Sequence, residues 1–209
     1  LENLNMNSYC LVNGQTFRHY MLNMEACSEL CQNPSAFDPQ EFYSRWIARY
    51  FGQDAIDSTM KVFQLLHLVQ EPRWGYIFLM THLIFAAFKI KIMKYMPFIP
   101  LKILNYVYER IGKLGPSFDR LLEKNVPMIE EAMVICEQNR PKIQDQADFY
   151  FDYVELPIRL MMQLYQIAAL LQSAGKTRKN KILLEQAKSL ILEHRSEEHT
   201  SELQSRQVI

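Results

Sequence analysis

The 209-residue sequence predicts an all-α protein, an up-and-down bundle of about eight helices. Three observations carry that expectation. Glycine is scarce, six residues in all, and the alternating β-branched runs that build half-buried strands are few. Apolar residues recur instead at helical spacing, in stretches punctuated by proline and glycine. Hydrophobic residues make up 49% of the chain and aromatics 12%, ample for one packed core at this length. Short links favour antiparallel neighbours, and no period of a helical solenoid recurs.

Residues 1–37 are the least regular part and are expected to be the tail end of an upstream domain with its linker. The opening LENLNMNSYC has neither an initiator methionine nor a charged-then-apolar leader, so the chain is expected to be a fragment of a larger one. Phe17 to Leu30 has apolar positions compatible with a helix, which Asn33-Pro34 and Asp38-Pro39 then interrupt as turns. The helical domain is expected over 38–194. Asp38 can accept from the orphan amides of a first turn, Pro39 suits the first helical position, and Glu41 completes a capping box. Phe42, Trp46 and Tyr50, with Tyr43 and Ile47, form the apolar stripe of a helix over 39–51, and Gly52 supplies the stop.

A second helix, about 53–70, carries Ile56, Met60, Phe63, Leu66 and Val69, and QEPRWG breaks it. Tyr76 to Phe88 is then apolar almost all round. It ends at Lys89, short of the roughly 20 residues of a membrane span, with His82 at its middle. A helix buried in the core is therefore expected, and a membrane partner is not. MPFIP is a rigid connector, because its two prolines forbid a continuous helix. Helix 101–112 stops at Gly112. A short helix 117–124 leads to Asn125, which can cap a new helix with Pro127 in its first turn, running to about Asn139. The pattern over 142–173 is the longest, and Pro157 inside it is expected to kink or split it. Gly175 ends it, KTRKN links onward, and an amphipathic helix covers 180–194.

From Arg195 to Ser205 the chain reads RSEEHTSELQS, which looks like one reading frame of a sequencing-library adapter. Residues 195–209 are accordingly expected to be a non-native, disordered tail. Setting them aside removes Glu197, Glu198, Glu202, Arg195 and Arg206, and the body stays near neutral. That balance gives no electrostatic footprint for nucleic acid. A phosphate-cradling glycine loop is absent from the sequence, which argues against Rossmann and P-loop chemistry.

Four cysteines, Cys10, Cys27, Cys31 and Cys136, are too few and too irregular for a disulfide framework. Cys27 and Cys31 would share a helix face near His19 and Cys10, but zinc sites need a matching second ligand pair, so structural cysteines and no metal or cofactor are expected. Glu25 and Glu29 also share a face. Glycosidase carboxylates face each other across a sugar from two elements, so this pair reads as surface charge, and no catalytic residue is assigned. His67 and His82 lie in apolar helical stretches and read as buried, hydrogen-bonded histidines. In FYFDYVELP, Phe149, Tyr150, Phe151 and Tyr153 surround the helix, so they cannot all face one core; packing against other helices is expected, with a neighbouring domain, a sugar or solvent as the alternative.

Met21 to Ala55 resembles a passage of large multidomain glycoside hydrolases of the α-glucuronidase and α-N-acetylglucosaminidase type. In those enzymes a Glu and a Trp-Asn-Pro-like turn leave the catalytic barrel. A helix of the form Asp-Pro-x-x-Phe-x-x-x-Trp-x-x-x-x-Phe-Gly then opens a C-terminal helical domain. The present chain supplies Glu29, Asn33, Pro34, Asp38, Pro39, Phe42, Trp46, Phe51 and Gly52, with Gln32 where the family turn carries an aromatic. The resemblance covers about a sixth of the chain. It implies an accessory domain of a periplasmic or secreted enzyme, with carbohydrate and an upstream catalytic domain as partners. The catalytic carboxylates would lie upstream, leaving the fragment alone inactive, and Glu29 and Trp46 are the candidate substrate-facing residues. The alternative is a helical interaction module with no enzymatic context.

Overall fold

A computed structural model describes residues 17–71, 75–112, 116–143, 146–176 and 180–206. Residues 1–16 with Cys10, residues 72–74 of QEPRWG, residues 177–179 of the basic linker and residues 207–209 lie outside the described residues. The fold is an all-α bundle, and no strand occurs among the described residues. Its helices are α1 (Phe17–Gln32), α2 (Pro39–Phe51), α3 (Ile56–Gln70), α4 (Tyr76–Tyr95), α5 (Leu101–Gly112), α6 (Phe118–Asn139), α7 (Ala147–Tyr150), α8 (Leu156–Ala174) and α9 (Lys181–Arg206).

Helix α2 shows how local chemistry sets the boundaries. Asp38 is extended, and its carboxylate accepts from the amides of Gln40 at 2.7 Å and Glu41 at 3.0 Å, two of the donors a first turn leaves orphaned. Gly52 stops the helix at φ +90°, a conformation that side chains disfavour, while its amide still closes the last turn on Ala48. Asp38→Ala should cost about 1 kcal/mol, read as a lowered urea midpoint at unchanged m-value. The link into α4 rests on a second glycine for a different reason. A Cβ on Gly75 would stand 2.5 Å from the backbone of Gln70, so the chain can pass there only without a side chain.

The core gathers Phe42, Trp46 and Ile47 of α2, Val62 and Leu65 of α3, Leu79 of α4, Leu121 and Ile129 of α6, and Ile158 and Tyr165 of α8. Helix α8 is its hub, packing on α4, α6 and α9, while α3 packs on α2 and α6. The stretch Ala147–Ala174 is apolar and long enough to cross a membrane by composition, yet half of it is buried inside the bundle. A hub helix surrounded by neighbours needs that composition without any lipid.

Several sequence expectations are corrected. The expected break at Asn125 does not occur, and α6 runs unbroken through Pro127. Asn125 is fully buried, and its side-chain amide donates to the Tyr165 hydroxyl on α8. A tertiary partner therefore replaces the cap, and α6 tolerates the one backbone donor that Pro127 lacks. Around Pro157 the expected disturbance takes the form of a π-turn that joins α7 to α8 in place of regular α-helix. The amide that Pro157 lacks would have bonded to Tyr153, and the preceding turn, Phe151–Glu155, widens into a π-helix. The widening explains the aromatic run. Asp152, Tyr153, Val154, Glu155 and Leu156 are all buried in succession, which an α-helix on one neighbour does not allow. The expected packing between helices is what these aromatics find: Phe149 packs on Trp46 and Tyr50, and Phe151 lies under the Arg159 guanidinium.

Three further expectations change. Tyr76 to Phe88 is not buried all round: α4 buries Leu79, His82, Leu83 and Ala86, but leaves Ile77, Ile84 and Phe88 in solvent. His67 is exposed, not buried. The chain beyond His194, expected to be disordered, continues as helix to Arg206. Residues 195–206 contain no proline or glycine, so nothing local breaks the helix even after its apolar stripe ends.

Candidate functional site

The α1–turn–α2 hairpin brings the two sequence candidates into one groove of about 540 Å³, lined by Glu25, Ser28, Glu29 and Gln32 of α1 and by Phe42, Arg45, Trp46 and Arg49 of α2. Both helices carry their charges at i, i+4 spacing, which puts each pair on one face. The faces meet. Arg45 donates to Glu29 and, at 3.2 Å, to Glu41; Arg49 pairs with Glu25 at 3.2 Å. The Tyr50 hydroxyl donates to Glu25 at 3.0 Å, and its pKa is raised, first by burial and then by that carboxylate. Glu25 and Glu29 thus form a cross-helix clamp with the two arginines, partly open to solvent. The arginines were the residues the sequence reading passed over. Their readable signal was the matching spacing, carboxylates four apart on α1 and guanidiniums four apart on α2.

Trp46 forms the floor, not the wall. Only 2% of it is exposed, closed in by Tyr50, Phe51, Phe149 and Tyr153. No free ring face remains for a sugar to stack on. Its indole N–H is buried with no hydrogen-bond partner among the described residues. The groove presents guanidinium, carboxylate and amide groups, with the arginines and carboxylates paired to one another.

A second cleft, about 580 Å³, opens between α4, α5, α6 and the end of α8. Its polar wall is a relay of assigned donors. Gln172 donates to the Tyr108 hydroxyl at 2.9 Å, and His82 Nε2 lies 3.1 Å from the Pro116 carbonyl. A carbonyl only accepts, so the His82 proton sits on Nε2, and Nδ1 is left to accept from Tyr108 at 3.4 Å. Lys89 is nearly buried over the Tyr108 ring, and its stem passes the C-terminal end of α8 at Gly175. Burial first, and Lys176 second, lower the Lys89 pKa. The carbonyl end of α8 is the natural counterweight to that cation. His82, Tyr108 and Gln172 thus satisfy one another and the Pro116 carbonyl, whereas Asn105 Oδ1 on the same wall is buried with no hydrogen-bond partner among the described residues.

No group of three or more metal-ligating side chains occurs among the described residues. Cys31 is exposed and Cys27 half-buried, while burial pushes the Cys136 thiol up to about 11, far from a reactive thiolate. Cys10 lies outside the described residues, as does the side chain of His19. The chain matches no protein-family model, no curated protein and no solved structure.

Proposed function

We propose that this chain is a helical accessory domain of a glycoside hydrolase acting on a polysaccharide or glycan. The catalytic carboxylates belong to an upstream domain of the same protein. The observation that supports this reading is the α1–α2 groove, in which Glu29, named by the resemblance, stands beside Glu25, Gln32, Arg45 and Arg49 over an aromatic floor. Such a set of fixed polar groups on a rigid base suits sugar hydroxyls and uronate carboxylates. The domain's part is to hold one flank of a glycan while chemistry proceeds elsewhere. It is expected to hydrolyse nothing alone.

The test is titration of the domain with oligosaccharides bearing glucuronic acid or terminal N-acetylglucosamine, followed by amide NMR. Shifts confined to α1 and α2, and at least a tenfold weaker affinity for Arg45→Ala, are expected; such a loss corresponds to about 1.4 kcal/mol. No shift with any glycan would end this reading and leave the alternative, a non-enzymatic interaction module.

A further inference from the structure

We infer that the α4–α5 hairpin is a docking surface for an anionic lipid bilayer, lying on it without crossing it. This goes beyond the carbohydrate reading and uses the opposite chemistry. The exposed positions Ile77, Ile84, Phe88, Lys91 and Tyr95 follow one another at spacings of seven and three to four, so they form one stripe along α4. Ile84 is 62% and Phe88 60% exposed. The connector continues the surface. Phe98, held between Pro97 and Pro100, is 79% exposed, beyond any other large apolar side chain described. On α5, Ile103 and Tyr106 are exposed at i, i+3. So much exposed apolar side chain on one helical hairpin normally marks an interaction site.

Charge decides what covers it. Across α4, the connector and α5, residues 76–112, the one acidic residue is Glu109, while Lys91, Lys94 and Lys102 are all exposed around the tip. Lys94 stands over the Tyr95 ring at 5.2 Å and Arg110 over Tyr106 at 5.4 Å, so cations and rings are presented together. Protein–protein interface cores are depleted in lysine, whereas surface-bound amphipathic helices combine lysines with large apolar side chains. A second copy is disfavoured as well. A two-fold interface would set the lysine-rich face of one hairpin against the same face of the other. On a bilayer, the apolar stripe enters the acyl boundary while the lysine stems extend to lipid phosphates.

The experiment is co-sedimentation of the full chain with two kinds of vesicle. One is phosphatidylcholine alone, and in the other a third of it is replaced by phosphatidylglycerol. Binding is expected to the anionic vesicles and to fall with added salt. Lys94→Gln with Lys102→Gln should weaken it about 25-fold, roughly fivefold per lysine, and Phe98→Ala at least about tenfold. Because these side chains are exposed, circular dichroism should show all variants folded. The proposal is overturned by folded protein that ignores both vesicles or binds them equally. It is equally overturned by self-association, seen by light scattering, that Phe98→Asp abolishes. Glycan titration on α1–α2 is unaffected by any of these outcomes, so the two readings fail separately.

Discussion

Trp46→Ala should cost about 3–5 kcal/mol of stability, read as a lowered denaturant midpoint, because the indole fills the junction of α2 with the π-turn. Its ring contacts Tyr50, Phe51, Phe149 and Tyr153, and no neighbour can collapse into the void without breaking another of these contacts. Trp46→Phe is expected to behave very differently, remaining within about 1 kcal/mol of the parent. The smaller ring loses some packing, but it also removes a buried N–H that lacks a partner among the described residues. The oligosaccharide binding proposed for the α1–α2 groove should survive Trp46→Phe, since the indole is floor and not a stacking platform. A severe loss of stability in Trp46→Phe would show that its N–H is in fact satisfied.

Removing both guanidiniums around Glu155 should destabilise the fold by about 3–5 kcal/mol. Glu155 sits in the π-turn, 3% exposed, and accepts from Arg140 and from Arg159 at 2.6 and 2.8 Å. Burial alone would raise its pKa, but the two arginines outweigh burial, and the net direction is down. In Arg140→Met with Arg159→Met only the burial penalty remains, and the carboxylate must either protonate or draw in water. A depressed folded pKa also sets the sign of the pH dependence. The stabilisation is present above the unfolded value of about 4.3, and is lost as pH falls below it through the folded value. Urea midpoints measured on either side of that window should therefore diverge for the parent and less so for Glu155→Gln. A parent whose stability is flat across the window would refute the ion cluster.

The two predictions meet at one structural feature. The π-turn that Pro157 opens is what rotates Tyr153 onto Trp46 and places Glu155 between two arginines. Widened turns of this kind are often found at functional sites. Here the turn's work is packing, since it buries four successive residues, Asp152 to Glu155, at the hub of the bundle.

The candidate site was half legible in the same way. Glu29 and Trp46 could be named from the pattern of Met21 to Ala55, and the short α1–α2 link made their approach plausible. That Arg45 and Arg49 would claim the carboxylates, and that Trp46 would lie beneath them, depended on how α1 settles on α2. Spacing within one helix shows which charges share a face, but not which neighbour that face meets.

By itself, the sequence determined the all-α class and most helix boundaries. The signals responsible act over three or four residues. Asp38 reaches the amides of its own first turn, Pro39 presets its own φ, and Gly52 relieves its own backbone strain, so Pro39–Phe51 came out as read. Tertiary structure alone decided which faces are buried. It drew Asn125 into the core toward Tyr165, left His67 in solvent, and exposed one side of α4. From Tyr76 to Phe88 helix α4 is apolar almost all round, so its periodicity there carried no direction. Only the positions of α5, α6 and α8 select the face that is covered, and those positions follow from contacts between residues far apart in the chain.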